Sequence, residues 1–283
     1  MNKLFLGLFV AFLLLLLVGY AQVFKIFGHE SSDSIQLLQK NAGQMEIGYE
    51  ARAQITSVDP IRGTLTMRVA LTPGGLWVDE YGCPNADCTV SINGAAGKSS
   101  VVLKKGEVVS PIEVVLSLSE SPIRYPHDAH EAELDFAVSW QDEQGSWLSA
   151  PIRFHLNKAI PGYRVGCNEK VKARGCHVLA TLDVIRSRSV IIFSSFLMTL
   201  IGLLGISALA LALAVVGGRK VELPMLAFLA TQMFALLPLR NAMPDIPPIG
   251  VLSDYMAFFW SETLTALALL SILFTWLHRR PQA

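Results

Sequence analysis

The sequence predicts a membrane protein with four transmembrane helices and an all-β, immunoglobulin-like sandwich domain outside the cytoplasm. Of its 283 residues, 52% are hydrophobic and 16% are charged, which is more apolar than soluble proteins of this size usually are. Long apolar runs occupy residues 4–24 and 189–277. Between these runs, apolar and polar residues alternate with a period of two, which is typical of strands that bury one face.

The first apolar run, LFLGLFVAFLLLLLV over residues 4–18, suits either a membrane anchor or the core of a secretion signal. Gly19 and Ala21 offer the small residues that a signal peptidase reads, whereas the apolar character continues through Phe24 and Phe27. We therefore predict an uncleaved anchor over residues 1–24, with a cleaved signal as the alternative. Either segment would carry the next domain across the membrane.

The domain over residues 25–188 is predicted to be rich in strands. Alternation over residues 45–55 and 65–71, on either side of a turn at residues 59–63, indicates a hairpin. The same alternation recurs over residues 112–118, 132–140, 148–156 and 178–184. About seven strands without an amphipathic helix favour an antiparallel sandwich of the immunoglobulin-like kind.

The four cysteines all fall in this domain and form two local pairs, Cys83 with Cys88 and Cys167 with Cys176. In an oxidising compartment, such pairs are expected to close as two short-loop disulfides. A four-cysteine zinc site is the alternative, although spacings of four and eight residues are looser than those of usual zinc pairs.

The chain over residues 189–283 is predicted to hold three membrane helices and a cytoplasmic tail. Residues 223–239 carry no charge and residues 255–277 carry one, Glu262. At 1.5 Å per residue these segments span roughly 25 and 35 Å, against a hydrocarbon core of about 30 Å. Three prolines between them cannot continue a helix, so residues 240–254 are predicted to form a turn at the outer surface.

Positive charges predict the orientation. Lys3, Arg219, Lys220 and the arginines near the C-terminus fall on one side of the membrane if the chain crosses four times. Both termini are then cytoplasmic, and the β domain and the outer turn are extracytoplasmic. The expected location is the cytoplasmic (inner) membrane.

Glu262 lies inside the fourth predicted helix, where an acid is costly unless it is paired or protonated. Arg240, at the outer end of the third helix, is the predicted partner, so that an ion pair would fix the helix ends and the turn. A role of Glu262 in a proton or ion pathway is the alternative. The candidate structural or functional residues are Arg240, Asn241, Asp254, Glu262 and Asp128.

Two further features have a structural and a functional interpretation. His127, Asp128 and His130 are of types that bind metals, but a loop in which Asp128 caps backbone N–H groups is favoured, and this loop is predicted to face the membrane. Small residues in the second helix, at positions 202, 205, 208 and 212, indicate close helix packing within the chain, or else a seam between copies.

Several blocks of sequence carry a family resemblance. They are RYPHD at residues 124–128, DVIRSRSV at 183–190, and the turn from Arg240 and Asn241 through PPIG to Asp254, followed by Phe259 and Trp260. In these blocks the chain resembles an uncharacterised bacterial membrane-protein family, domain of unknown function 4436. The resemblance implies the order of anchor, β domain and three helices, and it implies no activity.

The function expected from the sequence is non-enzymatic: a cell-envelope binding or accessory membrane subunit that presents its β domain outside the membrane. Expected partners are the lipid bilayer, a membrane or envelope protein and a further copy of the chain. A net charge of zero gives no basic footprint for nucleic acid, and no motif for catalysis or for a cofactor is present. An oligomeric transport or channel component is the alternative, and an extracytoplasmic enzyme is the third function considered.

Overall fold

Strands and helices occupy separate parts of the chain in the computed structural model, which describes residues 35–38, 48–95, 97–119, 121–141, 147–168 and 177–278. The chain divides into two compact units. The β unit combines residues 1–121 with residues 129–189. The helical unit combines Pro122–Asp128 with Val190–Ala283. A short loop between two strands therefore belongs to the helical unit.

The first unit contains eleven described strands in two sheets. The strands are β1 (Ile35–Leu38), β2 (Tyr49–Asp59), β3 (Thr64–Pro73), β4 (Cys88–Gly94), β5 (Gly97–Leu103), β6 (Ile112–Ser117), β7 (Ala129–Gln141), β8 (Trp147–Ser149), β9 (Ile152–Asn157), β10 (Tyr163–Asn168) and β11 (His177–Arg186). One sheet has the order β1-β9-β2-β3-β6, and the other has the order β10-β11-β7-β4-β5 with β8 beside β7.

The predicted hairpin at the start of this unit is confirmed. β2 and β3 pair in antiparallel register, with Ala51 opposite Leu71, and the alternate residues of β2 from Tyr49 to Ile55 are at most 2% exposed. The Asp59 carboxylate accepts hydrogen bonds from the backbone N–H groups of Ile61 and Arg62, which closes the turn. The period of two therefore reflects burial against the core between the sheets.

The predicted fold class is wrong in its strand pattern and in its helix count. β2 pairs with β9 in parallel, so the β unit is not a purely antiparallel sandwich, and ten strands rather than about seven lie between residues 49 and 186. Alternation assigns each residue to a face of a sheet but does not specify the neighbouring strand or its direction. The described residues hold three long helices instead of four, and the predicted anchor over residues 1–24 lies outside them.

The three helices are α1 (Arg188–Val216), α2 (Leu223–Asn241) and α3 (Phe259–His278). A single π-helical turn, Asp254–Phe258, leads directly into α3. Each helix is long and apolar enough to cross a membrane by length and composition. Pro224 stands in the first turn of α2, where its missing N–H removes no helical hydrogen bond.

Small residues let α1 and α3 approach each other. A Cβ added at Gly205 would lie 2.7 Å from the Cα of Ser261, which is closer than real Cβ contacts allow. Ala208 and Ala212 continue this buried stripe. The predicted packing within the chain is confirmed at these three positions, whereas a Cβ at Gly202 would meet nothing within 4 Å.

The predicted disulfide between Cys83 and Cys88 is wrong, because both residues are free cysteines and no disulfide is seen in the described part of the chain. Cys88 is the first residue of β4 and is 1% exposed. Its thiol lies 2.9 Å from the Tyr49 hydroxyl and donates a hydrogen bond to the Ala86 carbonyl at 3.3 Å. Cys83 lies in a turn fixed by its own N–H, which donates to Asp79. The pairing of Cys167 with Cys176 stays a prediction, because Cys176 lies outside the described residues.

The environment of Cys88 also controls its protonation. Burial raises the pKa of the Cys88 thiol, the hydrogen bond with Tyr49 opposes this rise, and the neighbouring Asp87 charge adds to it. Burial, together with the contact to Cys88, raises the pKa of Tyr49 well above its usual range. Both groups therefore stay neutral near pH 8, and the thiolate needed for disulfide chemistry is disfavoured.

We expect Cys83 and Cys88 to be thiols in the purified protein. Alkylation in denaturant without reductant, followed by peptide mass spectrometry, should find both residues modified to the same extent as in a reduced control. In the native protein at pH 8, Cys88 should be alkylated far more slowly than in denaturant, because its thiol is buried and its pKa is raised. A peptide with these two residues bridged would contradict the assignment.

Candidate functional site

A buried ion pair lies where α2 ends and the following turn begins. The Arg240 guanidinium donates from Nε to one carboxylate oxygen of Asp254 and from Nη2 to the other, both at 2.9 Å. Arg240 is 2% exposed and Asp254 is fully buried. Two parallel charge-assisted bonds of this kind fix both the distance and the orientation of the groups.

The same two side chains organise the backbone of the turn. Arg240 donates from Nη2 to the Pro248 carbonyl at 2.8 Å and from Nη1 to the Asn241 side chain at 3.3 Å. The Asp254 carboxylate also accepts the N–H of Gly250 at 2.8 Å. The predicted site residues Arg240, Asn241 and Asp254 are therefore brought together, and they close the proline-rich turn from inside.

The predicted pairing of Arg240 with Glu262 is wrong, because the guanidinium is engaged by Asp254, Asn241 and Pro248. Glu262 keeps one buried carboxylate oxygen with no hydrogen-bond partner. The prediction paired the two residues because Glu262 lies near the level of the outer end of α2 along its own helix. The reversal of the chain after α2 brings Asp254, the last residue of the predicted turn, within reach first.

The loop Pro122–Asp128 is bound to the helices by Tyr125. The Tyr125 side chain is fully buried, its hydroxyl lies 2.7 Å from Ser194 Oγ on α1, and it donates to the Pro244 carbonyl at 3.0 Å. Tyr125 packs with Leu197, Ile201 and other buried residues of the helices. These contacts tie the loop to the same turn that Arg240 holds, and the prediction that the loop faces the membrane stays a prediction.

The other polar residues of the predicted loop do not form a metal site. Asp128 and His130 are both buried, and His130 Nδ1 lies 3.3 Å from the Ser119 carbonyl. Among the described residues, no group of three or more His, Cys, Asp or Glu side chains could hold a metal ion. The capping role of Asp128 stays a prediction.

A second polar cluster joins all three helices. Gln232 on α2 donates from Nε2 to the Leu204 carbonyl on α1 at 2.9 Å and to Thr265 Oγ1 on α3 at 3.0 Å. Thr265 in turn donates to the Ser261 carbonyl. Gln232 Oε1 is buried without a hydrogen-bond partner, so this junction has unused acceptor capacity.

Three large apolar side chains are exposed on loops at one end of the β unit. We call Leu76, Tyr81 and Val108 the tip patch. These are the most exposed large apolar side chains described in that unit, at 75, 89 and 84%. Leu76 and Tyr81 lie in the loop before β4, and Val108 lies in the loop after β5. β4 and β5 are paired neighbours, with Cys88 opposite Leu103, so the two loops leave the same end of the sheet.

Hydrogen bonds fix the backbone of the first loop and join the second loop to it. Asp79 Oδ1 accepts the N–H groups of Tyr81 and Cys83 at 2.9 and 2.8 Å. The second loop is joined to the first by Gly106 N–H donating to the Pro84 carbonyl and by Lys105 N–H donating to the Asp87 carboxylate. The tip patch was not predicted from the sequence, although the Gly-rich stretch at residues 74–82 was a usable turn signal.

We expect the buried ion pair to dominate the stability of the helical unit. Arg240→Gln and Asp254→Asn should each lower the free energy of unfolding in detergent by about 3–5 kcal/mol, because each leaves one buried charge unpaired. The double variant should lose less than the sum of the two. As a control, the losses of unfolding free energy for Arg240→Gln and Glu262→Gln should add in the double variant. Additive losses for Arg240 and Asp254 would contradict the pairing.

We expect the Tyr125 hydroxyl to stabilise the docking of its loop. Tyr125→Phe keeps the ring and removes the two hydrogen bonds, so it should cost about 1–2 kcal/mol of unfolding free energy. Tyr255→Phe is the matched control, since Tyr255 is 62% exposed, and should change stability by less than about 0.5 kcal/mol. Equal effects in thermal unfolding would show that the Tyr125 hydroxyl contributes nothing.

Comparison with known families covers both units. Residues 44–182 match the family model described as Domain of unknown function (DUF4436), and residues 186–279 match the model described as Domain of unknown function (DUF8686). No curated protein matches the chain. The first match confirms the family that the sequence resemblance predicted. Ten of the eleven strands therefore lie within or next to the DUF4436 match, and the three helices lie within the DUF8686 match.

Proposed function

We propose that the protein is a non-enzymatic accessory or binding subunit of the bacterial cell envelope. Its helices cross the cytoplasmic membrane, and its β unit is extracytoplasmic and binds a partner protein through the tip patch. The observation that carries this proposal is the tip patch itself, because exposed aromatic and aliphatic side chains on rigid loops are typical of binding surfaces.

Rigidity of the tip patch supports a binding role. Loops that are already ordered lose little conformational freedom when a partner docks, so more of the contact energy appears as affinity. Asp79 and the bond from Gly106 to Pro84 supply that order. Exposed residues of both charges lie next to the patch residues along the chain, among them Glu80, Lys104 and Lys105, which favours a protein partner over a polyanion.

The helical unit supports the membrane part of the proposal. Three helices have the length and composition of spans. Their exposed surfaces carry large apolar side chains such as Phe196, Phe234 and Leu270, at 60, 80 and 59% exposure. Surfaces of this kind are stable in lipid and are a liability in water.

A role as an oligomeric transport or channel component is the second candidate, and it is favoured by one observation. Gln232 Oε1 and Glu262 Oε2 are buried in the helical unit without hydrogen-bond partners. Intramembrane polar groups with free acceptor capacity are features of ion and proton pathways. Ion or proton flux across vesicles that depends on Glu262 would favour this function over the first.

We expect the tip patch to determine partner recovery. Tyr81→Ser should weaken binding roughly 30-fold, the effect of losing an anchor worth about 2 kcal/mol. Co-purification from native membranes with a tagged full-length chain measures this loss. Ile61→Ser is the control, since Ile61 is 59% exposed in the turn between β2 and β3.

A photo-crosslinking amino acid at position 81 or 108 should give one protein adduct of the same mass, and position 61 should not. Tyr81→Ser and Ile61→Ser should both leave thermal stability unchanged, because the substituted side chains are exposed. Equal recovery of partners by the Tyr81 and Ile61 variants would remove the tip patch from the proposal.

A further inference from the structure

We propose that the turn over residues 244–252, which we call the apolar turn, lies in the interface of the outer lipid leaflet. Ile246 and Ile249 would then contact the boundary between headgroups and acyl chains. This inference rests on the proposed function, because it needs the helices to span a bilayer. It adds a lipid contact for a segment outside the three helices.

Exposure identifies the surface. Ile246 and Ile249 are 59 and 73% exposed, in a turn whose Pro248 carbonyl is bonded to Arg240 and whose Gly250 N–H is bonded to Asp254. The exposed apolar surface continues along the chain through Leu252, Met256 and Trp260, at 38, 64 and 66%. The exposed surface of the turn is therefore continuous along the chain with exposed residues of α3, which lipid would cover. Trp260 is of a residue type enriched at membrane interfaces.

The backbone holds these side chains outward. Asp245 and Ile246 have positive φ values of 57° and 24°, a region that L side chains rarely adopt and that is costly for a β-branched residue. The strained pair lies between two fixed carbonyls: Pro244, which accepts from Tyr125, and Pro248, which accepts from Arg240. The tertiary contacts thus impose a conformation in which Ile246 stays on the surface.

The length of α2 indicates that lipid covers the apolar turn. α2 has 19 residues and spans about 28 Å, slightly less than the hydrocarbon core of about 30 Å. If its first residue lies at one boundary of the core, its last residue, Asn241, lies at the other. The apolar turn begins three residues later, so it cannot rise far above the lipid. Asp245 places a carboxylate beside Ile246, which fits the headgroup level rather than the hydrocarbon.

The test is photo-crosslinking to lipid. A benzophenone amino acid is introduced into the full-length chain at Ile249 and, separately, at Ile246, and each protein is reconstituted in vesicles of phosphatidylcholine and phosphatidylglycerol. Leu203, which is 57% exposed in the middle of α1, is the positive control. Leu76, which is 75% exposed in the β unit, is the negative control. Adducts are identified by mass spectrometry after irradiation.

The expected result is phospholipid adducts at Ile249, Ile246 and Leu203, and none at Leu76. Adducts at Leu203 without adducts at either isoleucine would overturn the inference and leave the spanning helices intact. Adducts from Ile249 to protein would assign the surface to a second copy or another chain instead. If Leu203 also gives no lipid adduct, the helices do not span the bilayer, and the proposed function fails with the inference.

Discussion

The helical unit depends on one constraint, the burial of the Arg240 charge. A guanidinium at 2% exposure cannot be neutralised by deprotonation, so the protein has to supply an anion and hydrogen-bond acceptors around it. Asp254 supplies the anion, and Pro248 supplies a carbonyl. Since these partners lie 8 and 14 residues further along the chain, the charge can be satisfied only if the turn folds back over the end of α2.

Other contacts follow from this reversal. It brings the Pro244 carbonyl to the position where Tyr125 donates to it, and it starts the chain into α3 through the π-helical turn at Asp254. Below this level, Gln232 and the close contact at Gly205 join the three helices. Polar groups thus specify how the apolar helices are arranged, because apolar contacts have little directional preference of their own.

Local patterns in the sequence predicted the features that depend on neighbours along the chain. Alternation in residues 49–55 gave the buried face of β2, and the small residues at 205, 208 and 212 indicated the packed face of α1. The turn at residues 240–254 was predicted from its prolines. The parallel pairing of β2 with β9, however, joins segments about 100 residues apart and has no signature in either strand alone.

The errors at the site have the same origin. Arg240 and Asp254 were both recognised as candidates, but their pairing depends on a chain reversal whose path the prolines permit without specifying. Cys83 and Cys88 are close in sequence, yet the second residue points into the core beside Tyr49. Closeness along the chain is a good guide to bonding only where the backbone conformation between the residues is also known.

The family matches and the compact units divide this chain differently at the Tyr125 loop. The DUF4436 match, residues 44–182, encloses Pro122–Asp128, which is compact with the helices rather than with the strands. A fragment cut at the family boundary would carry Tyr125 without Ser194 and Pro244, and would expose to water a side chain that is fully buried in the whole protein. A stable fragment that keeps this loop would therefore also need the helical residues that bind Tyr125.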